Sequence, residues 1–66
     1  MGLSTLIQKV ARHKAVQECT PGEAGGSDYL IEVWLKEGFK FRSGRMAGCR
    51  TGFFNTYQEF RWALED

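Results

Sequence analysis

The spacing of apolar residues changes several times along the chain, and each change marks an element. Leu3, Leu6, Ile7 and Val10 recur at helical intervals, with Gln8, Lys9 and Arg12 opposite. This predicts an amphipathic helix over about residues 4–13. Ser4 or Thr5 can cap its start, and Thr5 with Gln8 has capping-box spacing. Lys9, Arg12, His13 and Lys14 gather near its end, where the helix dipole favours cations. Residues 15–20 (AVQECT) alternate loosely and predict a short strand that Pro21 ends. Thr20 to Asp28 is loop chemistry, with three glycines and the only proline.

Tyr29 to Leu35 (YLIEVWL) is the strongest strand pattern, with Ile31, Val33 and Leu35 on one face and Leu30, Glu32 and Trp34 on the other. Lys36-Glu37-Gly38 predicts a tight connection into a partner strand over 38–42, which puts Phe39 and Phe41 on one face and Lys40 and Arg42 on the other. Ser43 to Gly52 is glycine-rich and basic, and reads either as a loop or as a lead-in to an irregular fourth strand over 49–54. Thr56-x-x-Glu59 then has the form of a capping box, with Asn55 as an alternative cap. Tyr57, Phe60, Arg61 and Leu64 behind it predict a helix over 56–65, with Trp62 on its flank. Glu65 and Asp66 oppose the helix dipole and no glycine cap follows, so either the last turn frays or the natural chain runs on past residue 66.

The order is α-β-β-β-α. It predicts a single α+β domain over residues 1–66, with a small antiparallel sheet of three strands, or four, packed against an N-terminal and a C-terminal helix. The expected core joins Ile31, Val33, Leu35, Phe39 and Phe41 to Leu6, Val10, Phe60 and Leu64. Sixty-six residues allow only one core. Nine aromatics are many for that length, and each can bury a large apolar area. Apolar runs are too short for a membrane span or a secretory leader, so the expected setting is the cytoplasm, or the host cytoplasm if the chain is phage-encoded. Cys19 and Cys49 then read as two reduced thiols, with a single stapling bridge as the alternative.

A formal net charge of +1 hides a segregated distribution. Residues 1–14 carry +3, 15–35 carry −4, 36–50 carry +4 and 51–66 carry −2. Lys40, Arg42, Arg45 and Arg50 dominate the third block. Two readings follow: an edge strand protected by charge against pairing with another chain, or a docking patch for an acidic or phosphate-bearing partner.

No catalytic constellation stands out. His13 is the only histidine, and no spacing ties it to either cysteine as a base for a nucleophile. Structural zinc needs about four ligands, usually in close pairs, and neither Cys-x-x-Cys nor His-x-x-x-His occurs. Gly44 and Gly48 are not followed by Lys-Ser or Lys-Thr, so there is no P-loop. The expectation is a protein without catalytic residues, metal or cofactor.

The chain carries likenesses to three known families or motifs. The helix–strands–helix order resembles a double-stranded RNA-binding domain, although Asn55 to Glu59 lacks the lysines with which that family grips the backbone. Gly38-Phe39-Lys40-Phe41 looks like a fragment of the RNA-stacking motif of RRM and cold-shock domains, which implies solvent-facing phenylalanines. Gly48-Cys49-Arg50-Thr51 followed by Thr56-x-x-Glu59 is similar to the strand-to-helix stretch of HicB-type antitoxins, offset by about one residue and without that family's prolines.

The favoured expectation is a small binding module that modulates or inhibits a partner protein, such as a host nucleoprotein or nucleic-acid-binding enzyme. In size and blockwise charge it resembles phage and mobile-element accessory proteins such as anti-CRISPR proteins. Lys40, Arg42, Arg45, Arg50, Trp34 and Trp62 are its candidate contact residues, since arginine and tryptophan most often dominate interfaces. RNA or DNA binding through the basic face is the first alternative. An antitoxin-like or homodimeric structural module is the second, and a homodimer formed through the hairpin edge would bury Trp34 and Leu30 together.

Overall fold

The computed structural model describes residues 2–22 and 28–65, so the middle of the predicted loop at 20–28 lies outside the described residues. Two helices, α1 (Leu3–Ala11) and α2 (Tyr57–Glu65), enclose in sequence three strands, β1 (Val16–Pro21), β2 (Ile31–Leu35) and β3 (Thr51–Phe54). The strands form one antiparallel sheet in the order β1-β2-β3. The fold is α+β in the order α-β-β-β-α, as the hydrophobic pattern predicts.

The predicted strand over 38–42 does not form. Tyr29 and Leu30 also precede β2, and the free edge of β2 is taken by β3 within the optional fourth segment. Residues 36–50 instead make a folded connection containing one 3-10 turn, Gly44–Met46. Gly38 (φ +96°) and Gly48 (φ +85°) turn the chain where side chains are disfavoured. The Phe41 amide donates to the Cys49 carbonyl at 2.9 Å, and the Gly48 amide donates back to the Phe41 carbonyl at 2.7 Å. Phe41 enters the core, while Phe39, expected beside it, is exposed.

The inward faces of β2 and β3 present Ile31, Val33, Leu35 and Phe54 to Val10 of α1 and to Phe60, Ala63 and Leu64 of α2. Both helices therefore cover the same face. Within the core, Phe41, Phe54 and Phe60 form an aromatic trio with ring centroids 5.2, 6.0 and 6.3 Å apart. Gly52 lies beneath it. A Cβ there would stand 2.9 Å from both the Phe41 and Phe54 rings, so only glycine leaves them room.

The starts of the two helices are secured differently. No side chain caps α1: Gly2 is the N-cap, and its carbonyl accepts from the amides of Thr5 and Leu6. Ser4 and Thr5, the predicted caps, lie two and three residues too late, inside the first turn. At α2, Thr56 Oγ1 accepts from the Glu59 amide at 3.0 Å, while the Glu59 carboxylate accepts from the Asn55 amide at 3.0 Å. The Asn55 side chain accepts from the Leu30 amide and donates to the Asp28 carbonyl, which ties the start of α2 to the entrance of β2.

The last turn of α2 holds its helical form through Glu65 because the β2–β3 connection caps it. Arg42 and Ser43 amides donate to the Ala63 carbonyl at 2.6 and 3.2 Å, and Ser43 Oγ donates to the Trp62 carbonyl at 3.0 Å. Carbonyls left unpaired by the end of the helix are thus satisfied from outside it.

Gly52→Ala should force the aromatic trio apart and cost about 1–3 kcal/mol. Urea unfolding would register this as a lower midpoint with an unchanged slope, and an unshifted midpoint would contradict the packing account.

Candidate functional site

Burial of Phe41 and the capping of Ala63 place residues 39–46 against α2, and a cleft opens on each side of that junction. In the first, of about 330 Å³, the 3-10 turn brings Arg45 and Met46 beside Tyr29, Phe53 and Trp62. Tyr29 and Phe53 rings lie 5.8 Å apart, and Arg45 Nη1 donates to the Tyr29 hydroxyl at 3.5 Å. Glu59 is the acid of this cleft, but its carboxylate is engaged at the start of α2. Arg45 has no carboxylate partner among the described residues. Trp62 is 56% exposed.

The second cleft, of about 490 Å³, lies between the α1–β1 turn and residues 38–42, and gathers Lys14, Lys40 and Arg42 around Phe39. His13 forms part of its wall. Its Nδ1 accepts from the Ala15 amide at 3.1 Å, and its ring meets the Phe60 ring edge-on at 5.4 Å. Nδ1 is therefore the unprotonated nitrogen, which leaves Nε2 facing the Glu65 carboxylate at 3.6 Å. Both Glu65 oxygens also accept from Arg61, at 2.9 and 3.1 Å. That hydrogen-bonded pair lowers the Glu65 pKa and raises that of Arg61, the hydrogen bond being the larger cause for each. Both side chains are about half exposed to water, so the pairing orients Glu65 more than it stabilises the fold.

A third surface is the sheet face turned away from the helices. Glu18, Trp34 and Thr51 stand in one cross-strand row, and Thr20, Glu32 and Phe53 in the next. Trp34 is 46% exposed there.

The six candidate residues accordingly fall into separate places. Lys40 and Arg42 share the basic cleft, Arg45 and Trp62 share the aromatic one, and Trp34 lies on the open sheet face. Arg50 Nη2 donates to the Leu35 carbonyl at 3.1 Å, which ties the entry of β3 to the end of β2. Tyr29, Met46, Phe53 and Lys14 join the clefts without having been singled out as contacts, and Phe39, expected in contact only through the RNA-stacking likeness, joins the second. Phe53 was within reach of the pattern, since an inward Phe54 turns its neighbour outward.

The two thiols are free and differ in setting. Cys19 pairs with Val33 in the sheet and packs against the core, and burial pushes its thiol up to about 11. Cys49 is exposed in the connection. Among the described residues no three His, Cys, Asp or Glu side chains gather closely enough to hold a metal ion, and no helix is long and apolar enough to cross a membrane. Neither protein-family models, nor curated proteins, nor solved structures include a match to this chain.

A thiol-reactive reagent at pH 8 should label Cys49 about tenfold or more faster than Cys19, because the thiolate is the reacting species. Mass mapping of the labelled peptides checks this, and equal labelling rates would contradict the burial of Cys19.

Proposed function

We propose that the chain is a non-enzymatic binding module that docks a partner protein through the Trp62–Arg45 cleft and thereby modulates or blocks it. The observation that carries this reading is a largely exposed tryptophan set beside an arginine that lacks a carboxylate partner among the described residues, in a cleft walled by Tyr29, Met46 and Phe53. A chain with so small a core gains stability from each aromatic it buries. Trp62, left in water on α2 two residues after the buried Phe60 and next to the buried Ala63, adds little to folding and is well placed for an interface.

The chemistry of the cleft suits one kind of occupant. An apolar side chain would fill the space among Tyr29, Phe53, Met46 and Trp62. A carboxylate next to it would meet Arg45, because Glu59 is already committed to the start of α2. The partner segment is therefore an apolar anchor flanked by an acidic residue. The narrower form of the proposal is inhibition of a host nucleic-acid-binding protein, and it rests only on the likeness in size and charge layout to phage accessory proteins.

Cross-linking in cells of the source organism, with the wild-type chain as bait, would identify the partner, and binding would then be measured with purified components. Trp62→Ala should weaken that complex about thirtyfold, the scale of an interface hot spot. Arg45→Glu should also weaken it, whereas Trp34→Ala should leave it intact. A dissociation constant unchanged by both cleft substitutions would refute the assignment. Circular dichroism would establish that the variants remain folded.

A further inference from the structure

The basic cleft has a chemistry of its own, separate from the docking cleft across the Ala63 junction. We propose that it is a binding site for a nucleotide, with the phosphate held by Lys14, Lys40 and Arg42 and the base stacked on Phe39.

Convergence is the first argument. Lys14 comes from the α1–β1 turn, and Lys40 and Arg42 come from the β2–β3 connection, more than twenty residues later in sequence. The fold thus brings one cation of the first basic block to two of the second. None of the three has a carboxylate within ion-pair distance among the described residues. The one acid on the cleft wall, Glu65, is turned to Arg61 and His13. Three cations around one cleft suit a phosphate monoester, which carries about −1.5 to −2 charges near neutral pH, better than a single carboxylate. Arg42 adds a planar fork of donors that matches phosphate oxygens.

Phe39 is the second argument. It alternates with the buried Phe41, yet remains 37% exposed and lines the same cleft as the cations. An aromatic ring beside a phosphate-binding cluster offers a nucleobase a stacking surface. The volume, about 490 Å³, falls in the range of small-ligand clefts.

The probes are adenosine 5′-monophosphate, adenosine, inorganic phosphate, a six-nucleotide oligoadenylate RNA and hexaglutamate, each titrated into the ¹⁵N-labelled full chain. The nucleotide should move the amide signals of Lys14 and of Gly38 to Arg42, and should bind more tightly than either adenosine or phosphate alone. The Lys40→Gln/Arg42→Gln double variant should weaken binding about tenfold or more, as expected for loss of charge-assisted hydrogen bonds. Phe39→Ala should weaken it about fivefold or more, the scale of a lost base stack. Tighter, salt-sensitive binding of the oligonucleotide would identify a single strand as the source of the nucleotide, and equal binding would identify free nucleotide. Absence of shifts at millimolar nucleotide and oligonucleotide would overturn the proposal. So would affinities indifferent to these substitutions, or hexaglutamate binding as tightly as the nucleotide. Trp62→Ala should retain the nucleotide shifts, so this site and the docking cleft stand or fall separately.

Discussion

Contact among Phe41, Phe54 and Phe60 over Gly52 is the interaction on which the rest of the molecule depends. Each ring belongs to a different part of the chain: the β2–β3 connection, β3 and α2. Phe60 also meets His13 from the α1–β1 turn and Tyr57 from its own helix, and Lys9 of α1 lies 4.5 Å over the Tyr57 ring. None of the elements joined in this way could persist alone. Helices of nine residues are marginal in water, and a four-residue edge strand has too few ladder bonds to hold itself. The aromatic trio makes their formation mutually dependent, and the missing side chain at Gly52 is what lets three rings occupy so small an interior.

The same contact organises the surface. Once Phe41 is drawn inward, its neighbours Lys40 and Arg42 turn outward, and the chain passes directly to the exposed carbonyls at the end of α2. The amides of Arg42 and Ser43 satisfy those carbonyls and form the wall between the two clefts. Capping and site formation are thus one event. Residues of the connection, which would otherwise be a fifteen-residue loop, are held by backbone bonds at Lys36, Phe41, Arg42, Ser43 and Cys49. Preorganisation of this kind lowers the ordering cost of binding.

Charge is segregated in space as well as in sequence. The acidic block supplies Glu18 and Glu32 to the open sheet face around Trp34. The first and third blocks, both basic, meet at the second cleft on the far side of the junction. A chain of nearly neutral sum therefore presents distinct acidic and basic surfaces, which gives it a directional field that its net charge does not express.

Both helices, β2 and the α+β class were legible because amphipathic periods leave little choice of buried face, as with Ile31, Val33 and Leu35 or Phe60 and Leu64, while β1 was legible from its loose alternation and from Pro21 at its end. Phe39-Lys40-Phe41-Arg42 misled for the same reason: it carries a clean two-residue period. The real third strand was obscured because one of its inward positions is Gly52, which adds no apolar side chain to the pattern. Local sequence thus determined which segments must be helix or strand, since each has to hide an apolar face. Which strand completes the sheet, which phenylalanine is buried and which cations share a cleft were decided only in three dimensions. Those choices depend on whether Phe41 or a side chain at residue 52 occupies one small volume, and residues far apart in the chain settle it together.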